Sequence, residues 1–247
     1  MSARGALRLR RDRRSSRPAN DPGLYDDLAG EWWRPRGAFQ PLHWLAAARS
    51  QLVPAAPAPA SVLVDLACGG GLLAPHIAGR GYVHVGVDVG ERAVGVAQAH
   101  GVTVVRGDVL RVPLRDGCAD VVVAGEIFEH VDDLAGLIAE IARVLRPGGT
   151  LVFDTLADTL VCRVFMVRVA ERVGIVPRGI HDPALLVDPA RLTAMCAEQG
   201  VPVTLRGLRP SIPQAVAWAV RLRPSVTMRP TRSTRVVYQG HGVRTPA

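Results

Sequence analysis

Residues 62–71 read Val62-Leu63-Val64-Asp65-Leu66-Ala67-Cys68-Gly69-Gly70-Gly71, and this stretch decides the fold. Apolar residues lead into the acidic Asp65, and glycines then open an apolar helix start. This order predicts a strand, a glycine turn and a helix, the first unit of a Rossmann-like fold. Glycines at such a turn let the backbone approach a ligand that a Cβ atom would block. A second predicted strand, residues 82–88, also ends in an acid, and dinucleotide-binding folds place such an acid on ribose hydroxyls.

The glycine turn departs from two common nucleotide-binding patterns. The Gly-x-Gly-x-x-Gly spacing is not met, because the position for its third glycine, counted from Gly69, is Ala74. The Lys-Ser or Lys-Thr pair of a phosphate-binding P-loop is also missing. The order Asp-x-x-Cys-Gly-x-Gly, from Asp65 to Gly71, instead resembles motif I of the class I methyltransferases that use S-adenosylmethionine (SAM).

Three later segments extend this resemblance over residues 60–155. Asp88 matches the acid that binds the ribose, Asp108 matches the acid near the adenine amino group, and residues 145–151 match the turn into the fifth strand. The resemblance implies that SAM is the cofactor. It implies a cofactor site made of Asp65, Ala67, Gly69, Gly71, Asp88, Asp108 and the backbone at Ile127. Ala67 stands where the family has glycine, which adds one methyl group beside the cofactor.

The order of apolar runs predicts an α/β fold. Strands are expected near residues 61–66, 82–88, 102–106, 119–124, 149–155, 201–208 and 233–239. Helices are expected near residues 71–79, 91–100, 133–145 and 189–199. The predicted fold class is a Rossmann-like, doubly wound, seven-stranded and mostly parallel sheet with one antiparallel edge strand. N-terminal helices and an inserted segment on the substrate side are expected in addition.

Composition and the family resemblance together predict three parts of the chain. They are a disordered Arg-rich arm at 1–20, an N-terminal helical lid and linker at 21–60, and a SAM-binding methyltransferase domain at 61–247 with insertions at 156–188 and 210–231. The net charge is +8, but Met1–Arg17 holds seven of the 30 arginines and only one acid, so +6 lies on the arm. The near-neutral remainder gives no reason to expect a nucleic-acid partner. An anionic membrane surface is the alternative partner for the arm.

The cysteines and the apolar runs bear on localisation. Four cysteines lack metal-type spacing, and no secretory signal precedes them. No apolar run reaches the roughly 18 residues of a membrane span. Reduced thiols and a cytoplasmic location are expected, with peripheral contact at a membrane as the alternative.

Motifs before the glycine turn narrow the resemblance. Trp32-Trp33, then Gly37-Ala38-Phe39-Gln40-Pro41-Leu42-His43, then Arg49 resemble the N-terminus of the ubiquinone-biosynthesis O-methyltransferases, which methylate polyprenyl-catechols. The match implies that Arg49 contacts the SAM carboxylate, a role that suits a guanidinium fork. This chain departs from the family at Arg34, where an acid is usual, and at residues 46–48, where Asn-Pro is usual. The Trp pair is expected either to cap the core or to form a lid or acceptor wall.

The segment Gly125-Glu126-Ile127-Phe128-Glu129-His130-Val131 follows the fourth predicted strand, at the edge where ligands bind in open α/β sheets. Glu126, Glu129 and His130 would converge there if the segment makes a helical turn. We interpret them as ligands of a divalent metal ion, or Glu129 and His130 as catalytic groups with the imidazole as general base. Loop anchoring is the alternative, because Glu-His-Val recurs across many methyltransferases.

A second histidine motif follows the fifth strand. Residues 176–183 resemble the family's Val-Pro-x-Gly-x-His-Asp motif, so His181 is the second predicted catalytic base. His181 and Asp182 are neighbours and cannot form a simple relay, so one is expected to face the acceptor and the other to brace the loop. The apolar segment 160–173 is expected to be either a packed helix or a membrane-facing, substrate-gating segment for a lipid-tailed acceptor.

These motifs predict a SAM-dependent O-methyltransferase that acts on a phenol or catechol hydroxyl of a prenylated or otherwise apolar, quinone-precursor-like acceptor. A phenol, with a pKa near ~10, is protonated at neutral pH, so a base or a metal ion must produce the phenolate. One alternative is a methyltransferase of a phenolic natural product, favoured by the unmatched segment 210–231. Others are an RNA or protein methyltransferase recruited by the arm, and a SAM-binding subunit without catalysis.

Overall fold

The computed structural model describes residues 18–171 and 176–246. The predicted arm therefore lies, up to Arg17, outside the described residues, as does the end of the segment 160–173. The strands are β1 (Ser61–Leu66), β2 (Tyr82–Asp88), β3 (Thr103–Arg106), β4 (Ala119–Gly125), β5 (Leu145–Leu156), β6 (Val203–Pro210), β7 (Met228–Thr231) and β8 (Val237–Val243). The helices are α1 (Gly23–Asp27), α2 (Gln40–Arg49), α3 (Ala74–Ile77), α4 (Glu91–Ala99), α5 (Leu134–Val144), α6 (Leu160–Cys162), α7 (Pro189–Glu198) and α8 (Ile212–Ala219).

The strands form one eight-stranded sheet in the order β3-β2-β1-β4-β5-β8-β6-β7. The first five strands of this order pair in parallel. β8 is antiparallel to both β5 and β6, and β7 is antiparallel to β6. The predicted doubly wound, mostly parallel α/β fold is therefore confirmed.

The strand count and the place of the antiparallel strand were predicted wrongly. The unpredicted strand is β7, where Arg229 and Pro230 hide the alternation of apolar and polar residues. Proline has no backbone N–H to donate to a neighbouring strand and is therefore confined to sheet edges. β7 is an edge strand. β8 begins at Val237 rather than at residue 233, and it lies inside the sheet between β5 and β6. α8 was also not predicted. Its Pro213 sits in the first turn, where a helix tolerates proline.

Near-continuous apolar strands place a core on each face of the sheet. Val121, Val122 and Val123 of β4 are all buried, as expected for a central parallel strand covered on both faces. Val122 belongs to the cluster that contains Leu137 of α5, whereas Val121 and Val123 belong to the cluster that contains Leu73. The alternation fixes the register of the strand and thereby the position of its carboxyl end.

The N-terminal segment is tied to the sheet domain at two places. Asp26 Oδ1 accepts hydrogen bonds from the backbone N–H groups of Arg92 at 2.9 Å and Ala93 at 3.1 Å, in the first turn of α4. Trp32 shares a buried apolar cluster with Ile180, which lies on the loop that carries the second histidine motif. These contacts hold the N-terminal segment over the ligand edge of the sheet.

The apolar segment after β5 starts as α6 and continues as a π-helix, Arg163–Ala170. Cys162 is fully buried, whereas Leu160 and Phe165 are 77% and 60% exposed. Within residues 18–171 and 176–246, no helix combines the length and the hydropathy needed to cross a bilayer.

Candidate active site

A cavity of about 450 Å³ opens at the carboxyl ends of β1, β2 and β4. Its volume is in the range of pockets that enclose a small-molecule ligand. Seven of the eight predicted cofactor residues line it: Arg49, Asp65, Ala67, Gly69, Asp88, Asp108 and Ile127. Glu126, His130 and His181 line the same cavity. The structure therefore brings together most of the residues that the sequence motifs singled out.

The glycine turn after β1 is covered by the Trp pair. Ala67 and Gly69 adopt left-handed φ angles of 52° and 51°, which an alanine adopts only at a cost. A Cβ atom at Gly69 would lie 2.4 Å from the Trp32 ring, so the ring packs directly on the turn. Trp33 Nε1 donates a hydrogen bond to Gly70 O at 2.8 Å. The Trp pair thus both fills a core position and covers the glycine turn.

The two acids at the strand ends are held differently. Asp88 accepts hydrogen bonds from the N–H groups of Gly69 and Gly90, each at 2.8 Å, and burial raises the pKa of its carboxyl. Asp65 is buried and lies 3.2 Å from Nε2 of His84 on the neighbouring strand. A carboxylate oxygen has more than one lone pair, so Asp88 retains capacity to accept ligand hydroxyls.

Arg49 ends α2 in a buried ion pair. Its Nη1 lies 2.5 Å from Asp154 Oδ1, and both side chains are nearly or fully buried. A Cβ atom at Gly125 would overlap the Arg49 guanidinium, so only glycine leaves room for it. Burial alone would lower the pKa of Arg49, but the charge of Asp154 and the hydrogen bond to it have the larger effect, so the pKa of Arg49 is raised. Arg49 Nε and Asp154 Oδ2 are buried without a hydrogen-bond partner.

The two glutamates after β4 have different surroundings. Glu126 lines the cavity with a left-handed φ of 51°, and burial followed by the charge of Glu129 raises its pKa well above the usual range. Glu129 is fully buried, and its Oε2 accepts a hydrogen bond from Thr155 Oγ1 at 2.6 Å. Burial raises the pKa of Glu129 to about 7. Glu126 is therefore the carboxyl group that can meet a ligand.

Both ring nitrogens of His130 are engaged. Nε2 lies 3.0 Å from the Tyr25 hydroxyl and Nδ1 lies 2.5 Å from Asn20 Oδ1. Asn20 Nδ2 donates to His130 O, which fixes the amide orientation and assigns the ring proton to Nδ1. Burial, followed by the charge of His181, lowers the pKa of His130 to about 3. His130 is thus a neutral imidazole that accepts a hydrogen bond from Tyr25.

These contacts count against the predicted metal site. In the part of the chain that the structure describes, no group of three or more His, Cys, Asp or Glu side chains is placed to hold a metal ion. Glu129 is turned to Thr155, and His130 uses its nitrogens on Tyr25 and Asn20. The set of Glu126, Glu129 and His130 is therefore not assembled as a ligand shell.

His181 has a free buried nitrogen beside the cavity. The residue is 7% exposed and lines the cavity, and its ring stacks near that of His130 with the centroids 5.5 Å apart. Its Nδ1 has no hydrogen-bond partner and lies 3.8 Å from Glu171 Oε1. Asp182 Oδ1 instead accepts a hydrogen bond from Ala184 N within the loop. His181 therefore lines the cavity, whereas Asp182 contacts its own loop.

Two residues of the site had no signal in the sequence. Asn20 and Tyr25 reach His130 across more than 100 positions of the chain. Tyr25 also stacks on Trp32 and Phe39, with centroid distances of 6.1 and 5.8 Å. Such long-range pairs follow only from the packing of the N-terminal segment.

The comparisons with known proteins agree with this geometry. Residues 64–153 match the family model described as a methyltransferase domain. The chain is 36% identical over 189 residues to a ubiquinone biosynthesis O-methyltransferase of Thiobacillus denitrificans, which covers 72% of this chain and 80% of that protein. It is 34% identical over 194 residues to the Burkholderia pseudomallei protein of the same name, covering 74% and 84%.

The solved structures show the fold. A SAM-dependent methyltransferase of Thermotoga maritima, described as a possible histamine N-methyltransferase, matches with a TM-score of 0.63 at 16% identity, over 90% of this chain and 99% of that one. A putative methyltransferase of Haloferax volcanii, solved with its Trm112 activator, matches with a TM-score of 0.61 at 19% identity, over 90% and 98%. The chain is a SAM-dependent O-methyltransferase and belongs to the ubiquinone biosynthesis O-methyltransferase family.

Proposed function

We propose that the enzyme transfers the methyl group of SAM to a phenol or catechol hydroxyl on an apolar, prenylated acceptor resembling a quinone precursor. The observation that carries this proposal is the apolar part of the cavity lining. It includes Leu42, Leu45, Met166, Val176 and Ile180. A wall of this kind suits a hydrocarbon tail, and His181 provides a polar group beside it.

The polar residues of the cavity at the strand ends would bind SAM. Asp88 would accept the ribose hydroxyls, Asp108 the adenine amino group, and the glycine turn would approach the amino-acid moiety. Arg49 would meet the carboxylate of SAM, which would accept a hydrogen bond from the buried Nε, and the amino group of SAM would donate to the buried Oδ2 of Asp154. When bound, SAM supplies an electrophilic methyl group, so the protein needs to align an oxygen nucleophile and exclude water.

His181 is the proposed general base. Nδ1 of His181 is buried without a hydrogen-bond partner and lies near Glu171. The Glu171 carboxylate would therefore stabilise the imidazolium that forms when His181 takes up a proton. His130 cannot play this part, because Asn20 and Tyr25 occupy its nitrogens. We assign His130 as a positioning residue that holds Tyr25 in the wall of the site. The N-terminal segment would then act as the lid.

The test is transfer of labelled methyl groups from SAM into a lipid extract of the source organism, with identification of the product. A prenylated catechol should be methylated with a lower KM than the same catechol without its tail. His181→Ala should lower kcat about 100-fold or more, the usual contribution of a general base. A His181→Ala enzyme with the turnover of the unaltered protein would remove His181 from the proposal.

Metal activation of the catechol is the competing route. It is tested by exhaustive chelation followed by addition of magnesium, zinc or manganese. Full activity of the chelated enzyme supports the imidazole route. Activity that depends on the added ion would replace it with a metal bound through the catechol oxygens.

A phenolic natural product is the second candidate acceptor. It is favoured by the segment 210–231, which contains α8 and β7 and has no counterpart in the motifs of the ubiquinone family. Equal KM values for the tailed and the tailless catechol would favour this second acceptor class.

A further inference from the structure

A histidine lies buried near the middle of β2. His84 is 9% exposed, and Leu63, its partner in the register with β1, is fully buried in an apolar cluster. Burial removes the water that would hydrogen-bond the imidazole, so the ring needs a partner from the protein. Apart from the acid at its end, no residue of β2 has a role in the site described above, so the role of His84 is open.

The partner of this imidazole is Asp65 on β1. Nε2 of His84 lies 3.2 Å from Asp65 Oδ2, and both side chains are buried. The parallel register pairs Leu63 with His84 and Asp65 with Gly86, so these four residues point to one face of the sheet. His84 and Asp65 are therefore diagonal neighbours on adjacent strands.

The other ring nitrogen of His84 is buried without a hydrogen-bond partner. An imidazolium would place an N–H group at this Nδ1 with nothing to accept it. A neutral ring with its proton on Nε2 leaves only a lone pair unused there. The proton of the neutral ring is therefore assigned to Nε2, which donates to the Asp65 carboxylate.

Packing alone gives no reason for a histidine at this position. An apolar side chain of similar length would fill the space without a buried, unpartnered nitrogen, and such replacements of buried polar groups are often neutral or stabilising. Within residues 18–171 and 176–246, the one hydrogen bond of the His84 side chain is that to Asp65. What the imidazole contributes must therefore act through this carboxylate.

Asp65 lies close to Arg49, the residue placed at the SAM carboxylate. Burial lowers the pKa of Arg49, whereas the nearby charges of Asp154 and Asp65 raise it. Asp65 also lines the cavity, and because its Oδ2 accepts from His84, its Oδ1 is left for a ligand. An amino-acid moiety brings one carboxylate for the guanidinium and one ammonium group for the acids. The three donors of an ammonium group allow it to meet Asp65 and Asp154 together.

We propose that His84 is a positioning residue, which holds Asp65 so that Oδ1 of the carboxylate receives the ammonium group of SAM. The donor at Nε2 fixes one carboxylate oxygen and thereby sets the rotation of the Asp65 side chain before the cofactor binds. A group that is already ordered does not have to be ordered by the ligand, and binding is tighter for that reason. The inference rests on the proposed function in one respect, the placement of the amino-acid moiety of SAM beside Arg49.

The first test is calorimetric titration of the full chain with SAM. H84M removes the donor and keeps an adaptable apolar side chain in the core, and it should weaken SAM binding about tenfold. H84Q keeps an N–H donor near the position of Nε2 and should stay within about threefold of the unaltered chain. Y82F is the matched control, because it removes from the same strand a hydroxyl that donates to Pro54 O. It should leave the affinity for SAM unchanged.

A second ligand separates positioning from a general loss of structure. Methylthioadenosine has the adenosine part of SAM without the amino-acid moiety, so it offers no ammonium group to Asp65. H84M should therefore bind it as the unaltered chain does. S-adenosylhomocysteine keeps the amino group, and H84M should lose affinity for it as it does for SAM. In turnover assays, H84M should raise the KM for SAM by a larger factor than it lowers kcat.

Asp65→Asn and the double variant test whether His84 acts through Asp65. D65N should weaken SAM binding about tenfold or more, because an amide carries no charge to attract the ammonium group. Adding H84M to D65N should then lower the affinity much less than H84M does alone, since interacting residues are not additive. D65N with the SAM affinity of the unaltered chain would contradict the proposed placement of the cofactor, and the inference with it.

Positioning by His84 is overturned, and the placement of the cofactor is kept, if D65N loses affinity for SAM while H84M does not. It is also overturned if H84M weakens SAM and methylthioadenosine equally, or if the effects of H84M and D65N add in full. Urea denaturation of H84M, H84Q and Y82F provides the remaining comparison. An affinity for SAM that falls in step with the free energy of unfolding across these variants would make His84 a structural residue.

Discussion

Burial sets the protonation states of the residues around the cavity. The pKa of His130 is lowered to about 3 by burial and by His181, so this imidazole is neutral at pH 7. Burial and the charge of Glu129 raise the pKa of Glu126 well above its usual range. Neighbouring carboxylates repel unless a proton or a cation lies between them. A proton on Glu126 resolves this repulsion without a metal ion.

The strained turn residue Ala67 offers the first test at this scale. Its φ of 52° costs an alanine about 1–2 kcal/mol. A glycine at this position avoids that strain, but it loses more conformational entropy on folding, so only part of the energy is gained. Ala67→Gly should therefore raise the free energy of unfolding by about 0.5–1 kcal/mol, measured by chemical denaturation. Ala135→Gly, at an exposed position in α5, is the control and should lower it. A destabilised Ala67→Gly would show that the methyl group makes packing contacts that outweigh the strain.

Asp88 should control cofactor affinity. A hydrogen bond to a charged group contributes about 1.5–3 kcal/mol, so Asp88→Ala should weaken SAM binding roughly 10- to 100-fold by calorimetry. Asp88→Asn is the control for shape, because its amide can accept at only one of the two positions now taken by Gly69 N and Gly90 N. Unchanged affinity in Asp88→Ala, with the fold intact, would place the cofactor elsewhere.

The pKa of His130 predicts how stability depends on pH. The folded-state pKa is about 3 and the ordinary value is 6.5, so between these values the unfolded chain binds the extra proton. The stability contributed by neutral His130 is complete above pH 6.5 and is lost as the pH falls toward 3. Lowering the pH from 8 to 5 should cost on the order of 2 kcal/mol through this residue.

His130→Asn provides the comparison, because it removes the titrating group. Its free energy of unfolding should fall less steeply than that of the unaltered protein between pH 6.5 and 5, as followed by urea denaturation. Parallel curves for the two proteins would mean that His130 keeps an ordinary pKa in the fold.

At the scale of elements, Asp26 connects the N-terminal segment to α4. Its Oδ1 accepts the N–H groups of Arg92 and Ala93, a contact equivalent to a helix N-cap, and loss of such a cap costs about 0.5–2 kcal/mol. Asp26→Ala should lower stability by that amount and speed SAM release in stopped-flow experiments, because the segment over the cavity is loosened. Glu198→Ala, at an exposed position at the end of α7, is the comparison for charge, and an equal change in SAM release would assign the effect to charge alone.

The elements that the sequence predicts well are those whose pattern is local. β1, β2 and β4 start and end within a residue or so of prediction, because near-continuous apolar runs end at an acid or a glycine. β7 was missed because Arg229 and Pro230 hide its alternation, and pairing with β6 decides the strand. α8 has a signal that was overlooked, because Ile212, Val216 and Val220 recur at helical spacing in a segment that looked irregular from its arginines and prolines. The π-helical form of Arg163–Ala170 also has no local signal.

At the scale of the whole molecule, the cavity residues at the strand ends were predictable, and the contacts of the N-terminal segment were not. Asp65, the glycine turn and Asp88 follow one another at strand ends, so chain order places them together. Tyr25 and Asn20 approach His130 only after the N-terminal segment folds across the sheet. That contact gives both ring nitrogens of His130 a partner, although the sequence predicted this residue as a base. The division of the chain into arm, lid and catalytic domain stays a prediction.

The uneven charge of the chain gives the last prediction. Met1–Arg17 carries +6 of the net charge of +8, and its attraction to an anionic surface is screened within about 8 Å at physiological salt. Deleting these residues should weaken binding to phosphatidylglycerol vesicles at low salt and change it little at high salt. Among the described residues, the cavity lining begins at Asn20, and we expect activity on a soluble catechol to stay the same. A truncated enzyme with a large loss of that activity would show that the arm forms part of the catalytic site.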